Sequence, residues 1–124
     1  MKRAYLENPR TLEHHDLTAL VEEHREVTIG RSEKNIIQLS NGVLPHREKR
    51  DTETGSETQD PLATVSARHA TFTCVQGLIY IKDLESTNGT FVNGFKIPVR
   101  MGYHLSHGAR IRLGDFLLDY KEVS

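Results

Sequence analysis

The 124-residue sequence predicts an all-β fold, a sandwich of two twisted antiparallel sheets. Three observations predict it. Short runs of alternating apolar and polar residues recur along the chain, which is the period of a half-buried strand. Gly-rich turns separate them, and residues 86–97 alone carry two Asn-Gly pairs, Asn88-Gly89 and Asn93-Gly94. No long amphipathic helical stripe is present, so an apolar sheet face has only another sheet to cover it. The length is that of one ordinary domain, spanning 1–124.

The elements follow in order. "RAYLE" at 3–7 reads as a short strand before the break at Asn8-Pro9. The next segment, "TLEHHDLTALVEEHRE", is ambiguous: Leu12, Leu17, Leu20, Val21 and His24 fit a loose helical stripe, whereas Leu17 to Val21 also suits a strand. We expect a strand there, because everything downstream reads as β. In "EVTIGR", Val27 and Ile29 alternate with Thr28 and stop at Gly30, and "NIIQLS" follows as a second short strand. Residues 42–61 change in character. They mix both charge signs with Thr, Ser, Gly and Pro, and only Val43 and Leu44 are large and apolar. Such a composition buries too little surface to offset its ordering entropy, so a disordered loop insertion is expected.

Beyond it the β signals become regular. "ATFTCV" and "LIYIKDL" flank Gln76-Gly77 as the arms of a hairpin. Asn93-Gly94 lies between Phe91-Val92 and Phe95-Lys96-Ile97, the strongest short-range signal for a two-residue hairpin turn. "GARIRLGDFLLDY" supplies a last hairpin around Gly114-Asp115.

Composition narrows the chemistry. With 27% charged residues and a net charge of −1, the chain has no overall pull toward nucleic acid or anionic membrane, so any anion site has to be local. The single Cys74 has no disulfide partner within the chain, which favours a reducing intracellular compartment. Ser66, His69 and Asp83 invite a hydrolase reading, but Ser66 lacks the G-x-S-x-G elbow that would present a nucleophile. His14-His15 and His104-x-x-His107 have no cysteine or carboxylate cluster to complete a metal site. A nucleotide site would need a Gly-rich, Lys-containing loop, and there is none.

An anion cradle accounts for more of the chain. Gly30-Arg31, Ser66-x-Arg68-His69 and Thr87-Asn88-Gly89 all fall on loops at strand ends, which a sandwich can gather at one edge. An arginine fork, a hydroxyl and an amide are what a phosphate monoester within a peptide requires. G-R, then S-x-x-H, then S-T-N-G-T-x-V-N-G, closed by G-x-x-I-x-L-G-D, resembles the forkhead-associated (FHA) domain family over residues 27–120. Each motif alone is weak; the four in this order are jointly specific.

The resemblance implies an eleven-stranded FHA-like β-sandwich with ligand loops at one end, and a non-enzymatic module that binds phosphothreonine peptides in signalling. Arg31 resembles the phosphate-binding arginine and Ser66 the serine bonding a phosphate oxygen. Arg68 stands where many members add a basic contact, Thr87 resembles the residue touching the phosphothreonine, and Asn88 matches the asparagine that clamps the peptide backbone. Gly30, His69 and Gly89 are similar to residues that brace these loops. Ser32, Lys34 and Asn35 follow Arg31 on its loop within reach of a ligand, but are expected to be solvated loop positions. The implied partner is a phosphothreonine-containing protein or peptide in the nucleus or cytoplasm, with no cofactor, no metal, and no direct nucleic-acid or membrane contact. Oligomeric state is not implied. Two departures stand out: Ala67 replaces the Asn, Arg or Lys of many members, and the 42–61 connection is long. The alternative function is a structural FHA-like β-sandwich mediating phosphate-independent protein interactions.

Overall fold

The structure, a computed structural model, describes residues 2–40 and 60–124. Among the described residues, eleven strands form two sheets. The first strands are β1 (Arg3–Glu7), β2 (His14–Asp16), β3 (Val27–Gly30), β4 (Ile37–Gln38), β5 (Ala70–Val75) and β6 (Leu78–Asp83). They are followed by β7 (Thr90–Val92), β8 (Phe95–Lys96), β9 (Tyr103–His104), β10 (Arg110–Leu113) and β11 (Phe116–Val123). One sheet runs β2-β1-β11-β10-β7-β8, the other β4-β3-β5-β6-β9. Pairing is antiparallel apart from β3 with β4.

Alternation in sequence becomes burial in space. Ala4 and Leu6 of β1, Ile79 and Ile81 of β6, and Phe116, Leu118 and Tyr120 of β11 all point into one core. Val27, Ile29, Phe72, Ile111 and Leu113 fill its centre with no exposed surface. Burying side chains of this size stabilises a fold by about 1.5–3 kcal/mol each, so this core dominates the stability. The expected hairpins are present: β5 pairs β6 across Gln76-Gly77, β7 pairs β8 across Asn93-Gly94, and β10 pairs β11 across Gly114-Asp115. Asn93 and Gly94 have φ of 52° and 88°, which a primed two-residue turn requires and this pair tolerates.

The segment 11–26 differs from the strand expected there. His14–Asp16 is a strand, but Leu17–Glu23 is an α-helix, α1. Asp16 decides the change, because its carboxylate accepts from the Ala19 amide at 3.0 Å and caps the helix. Leu17 is buried and Leu20 and Val21 pack against the core, a helical spacing, whereas a strand would have buried Ala19, which is exposed. Thr18 Oγ1 accepts from the Ala4 amide at 2.7 Å and fastens the helix to β1. Of the expected insertion, residues 42–59 lie outside the described residues. Asp60 and Pro61 start a 3₁₀ turn, Pro61–Thr64, with the Asp60 side chain accepting from the Leu62 amide.

Candidate functional site

Three loops meet beside the ends of β3, β5 and β7, and backbone hydrogen bonds set their spacing. The Arg31 amide donates to the Ser66 carbonyl and the Ser32 amide to the Ala67 carbonyl, each at 3.1 Å. This contact is possible only because residue 30 is glycine: a Cβ there would lie 2.3 Å from the Ala67 carbonyl oxygen and 2.9 Å from that of Ser66. Asn35, expected to be a solvated loop residue, also joins these loops. Its Nδ2 donates to the carbonyls of Ser32 at 2.9 Å and Ala67 at 2.6 Å.

His69 connects the other two loops. It is fully buried, and its Nδ1 accepts from the Ser66 amide at 3.0 Å, so Nδ1 carries no proton. The proton therefore sits on Nε2, which donates to the Gly89 carbonyl at 2.9 Å. Burial pushes the imidazole below its ordinary value; the Gly89 carbonyl and Asp83 oppose that shift without cancelling it. A neutral His69 thus ties the start of β5 to the turn before β7. Asp83 is buried as well, but it serves the 84–89 turn. Its carboxylate accepts from Ser86 Oγ at 2.5 Å, Thr90 Oγ1 at 2.6 Å and the Ser86 amide at 3.2 Å, while Ser86 Oγ accepts from the Gly89 amide at 3.0 Å. Ser66 Oγ accepts from the Thr87 amide at 3.0 Å rather than contacting the imidazole. The geometry therefore provides no serine-to-histidine proton relay.

On this frame the outward-facing groups are Arg31, Ser66, Arg68, Thr87 and Asn88. All are exposed except the half-buried Ser66, whereas Gly30, His69 and Gly89 are buried beneath them. Arg31 Nε donates to the Val65 carbonyl at 2.6 Å, which orients the guanidinium and leaves its terminal amino groups free among the described residues. The Ser66 hydroxyl proton remains available for donation. Asn88 Nδ2 donates to the Thr64 carbonyl at 2.8 Å, so its side-chain carbonyl is held in place as an acceptor. Thr64 is itself fixed, its Oγ1 donating to the Pro61 carbonyl and accepting from the Asp115 amide. Charge-assisted donors, a hydroxyl and an oriented amide thus stand along one edge of the sandwich.

The FHA domain family model matches residues 27–114, from the first strand of the loop-bearing sheet to the Gly114 turn. The chain belongs to the FHA domain family. Among solved FHA structures, the MEK1 FHA domain in complex with a HOP1 peptide is 25% identical with a TM-score of 0.63, covering 95% of this chain and 94% of that one. The N-terminal FHA domain of Saccharomyces cerevisiae Rad53p, solved with a phosphothreonine peptide, is 20% identical, covers 98% and 90%, and has a TM-score of 0.63. Mycobacterium tuberculosis EmbR, solved with a low-affinity phosphopeptide, is 24% identical with a TM-score of 0.67 over 96% of this chain and 24% of that one. A curated relative, vacuolar protein sorting-associated protein 64 of Saccharomyces cerevisiae, is 57% identical over 65 residues, 48% of this chain. The match covers 11% of that relative's length.

Sequence reasoning missed Thr64, Asn35 and Ser86. The Asp83-x-x-Ser86 spacing, which favours a side-chain-stabilised turn, was the available signal for Ser86. The Asp60-Pro61 start signal pointed to a structured turn leading to Thr64.

Proposed function

We propose that this FHA domain recognises a phosphothreonine-containing segment of a partner protein and performs no catalysis. One observation carries the reading: outward-facing Arg31, Ser66, Arg68, Thr87 and Asn88 are held together by a buried scaffold of Gly30, His69 and Gly89. In this reading Arg31 and Ser66 hold the phosphate, Arg68 adds charge, Thr87 lines the phosphothreonine and Asn88 engages the peptide main chain. Two or three charge-assisted bonds are worth roughly 1.5–3 kcal/mol each, against several kcal/mol for ordering a flexible peptide. Affinity should therefore be micromolar, near −8 kcal/mol. On this reading the protein meets its phosphorylated partner in the nucleus or cytoplasm.

Calorimetry with one phosphothreonine peptide, its unphosphorylated twin and its Glu version tests the proposal. A phosphate carries up to two charges on three acceptor oxygens, and Glu one charge on two, so only the phosphopeptide should bind well. Arg31→Lys keeps the charge but loses the fork, and should fail nearly as badly as Arg31→Ala. Equal affinity for all three peptides would replace this reading with phosphate-independent docking.

A further inference from the structure

The loops carry a second feature beside the phosphate cradle. A cleft of about 410 Å³ opens one residue further along both strands' loops, lined by Thr28, Ser32, Lys34, Asn35, Ala67 and Arg68. Residue 67 is alanine, so no long side chain fills the cleft, while Asn35 holds the two walls together through the Ala67 carbonyl. The Lys34 ammonium and the Arg68 guanidinium are exposed, and neither has a counter-ion among the described residues. Among the described residues no acid lines the cleft, so its lining carries a net positive charge.

A cleft on the other side of the cradle differs. It is lined by Ala63, Thr64, Asn88, Arg112, Gly114 and Asp115. There the charge is already satisfied: Arg112 Nη1 donates to the Gly114 carbonyl at 2.8 Å, lies 3.5 Å from Asp115 and sits over the Phe91 ring. An extended peptide anchored at Arg31 and Asn88 therefore meets the unpaired Lys34 and Arg68 in one of these clefts and an already engaged Arg112 in the other.

Resting on the phosphothreonine reading, we propose that the cleft over Ala67 is a subsite for an acidic group on the flank of the bound segment that lies away from Asn88. The group is a carboxylate of Asp or Glu or a second phosphate, and Lys34 with Arg68 selects it. Ion pairs at exposed positions are individually weak and screened by salt. The expected gain is about fivefold in affinity at 50 mM salt, shrinking to under twofold at 500 mM.

The experiment uses four phosphothreonine peptides that differ only in flank: neutral on both sides, Glu pairs on the N-terminal side, Glu pairs on the C-terminal side, and phosphoserine on the preferred side. Titrations are run against wild type, Lys34→Ala and Lys34→Glu. The expected result is that one acidic flank binds about fivefold more tightly than neutral, the phosphoserine version more tightly still, the preference vanishes in Lys34→Ala, and it inverts in Lys34→Glu. A larger gain for phosphoserine than for Glu identifies a phosphate, and equal gains a carboxylate. Tight binding of the neutral peptide with no flank preference, or a preference that survives both Lys34 variants, overturns the subsite while leaving the phosphate cradle intact. Failure of all four peptides overturns both.

Discussion

Gly30→Ala tests the loop geometry at its tightest point. The added methyl would meet the Ala67 carbonyl oxygen at 2.3 Å, whereas real Cβ contacts stay beyond 3.0 Å, so the two loops must separate by at least 0.7 Å (3.0 − 2.3). The obstruction is main chain and cannot rotate aside. Separation on that scale breaks or bends the Arg31-to-Ser66 and Ser32-to-Ala67 hydrogen bonds, both already 3.1 Å long. Two lost bonds at about 0.5–1.5 kcal/mol each, with about 1–3 kcal/mol of overpacking, give a destabilisation of roughly 2–6 kcal/mol. For a domain of this size that is a fall in Tm on the order of 10 °C. Peptide binding should weaken at the same time, because the backbone carrying Arg31 moves relative to Ser66. Thermal unfolding followed by calorimetric titration at a temperature where the variant is folded measures both. A variant with wild-type Tm and wild-type affinity would refute the claim that glycine is required by close approach.

Three further outcomes are expected. Because burial depresses the His69 imidazole, the unfolded chain takes up the proton first, so stability is full above pH 6.5 and falls as pH drops below it. Denaturation at pH 7.5, 6 and 5 should show this loss at no more than about 1.4 kcal/mol per pH unit from this group, and His69→Gln should flatten it; parallel profiles would count against a neutral His69. Asp83→Asn replaces an acceptor with a donor facing the Ser86 amide, and should cost about 2–3 kcal/mol in urea unfolding while loosening the 84–89 turn. Replacing residues 42–59 with a short Gly/Ser connection, keeping the Asp60 cap, should change stability by only about 1 kcal/mol, since loop-closure entropy varies slowly with length; collapse of the fold in the same assay would assign those residues a packed role.

The strands that alternate cleanly were legible, and so were the turns that need Asn-Gly chemistry, because both signals are local. The Leu17–Glu23 helix was not, because five apolar or small residues in a row fit either period and the deciding interactions are the Asp16 cap and the Thr18 bond to Ala4. The strand Tyr103–His104 has only two residues, both exposed, so no alternation marks it. In the site, the residues carried by motif were all brought to one edge. Asn35 and Thr64 were overlooked for a physical reason: each acts through a hydrogen bond to a residue 24 or more positions away in sequence, which no local pattern encodes. Ala67 was read as a missing contact, whereas in three dimensions its small side chain leaves a charged cleft open.

The pairing of β1 with β11 fixes how this domain can be carried by other chains. β11 leaves the Gly114-Asp115 turn, next to Thr64 and Asn88, and runs for eight residues, so at about 3.4 Å per residue its end lies roughly 24 Å from the edge where the loops meet. There Val123 is the direct partner of Arg3, which puts the two ends of the fold about 5 Å apart. Polypeptide spliced on at either end therefore departs from the pole remote from the loops. A host protein can accept the domain between two of its own segments with little change in their separation, and the recognition edge still projects outward, clear of whatever carries it.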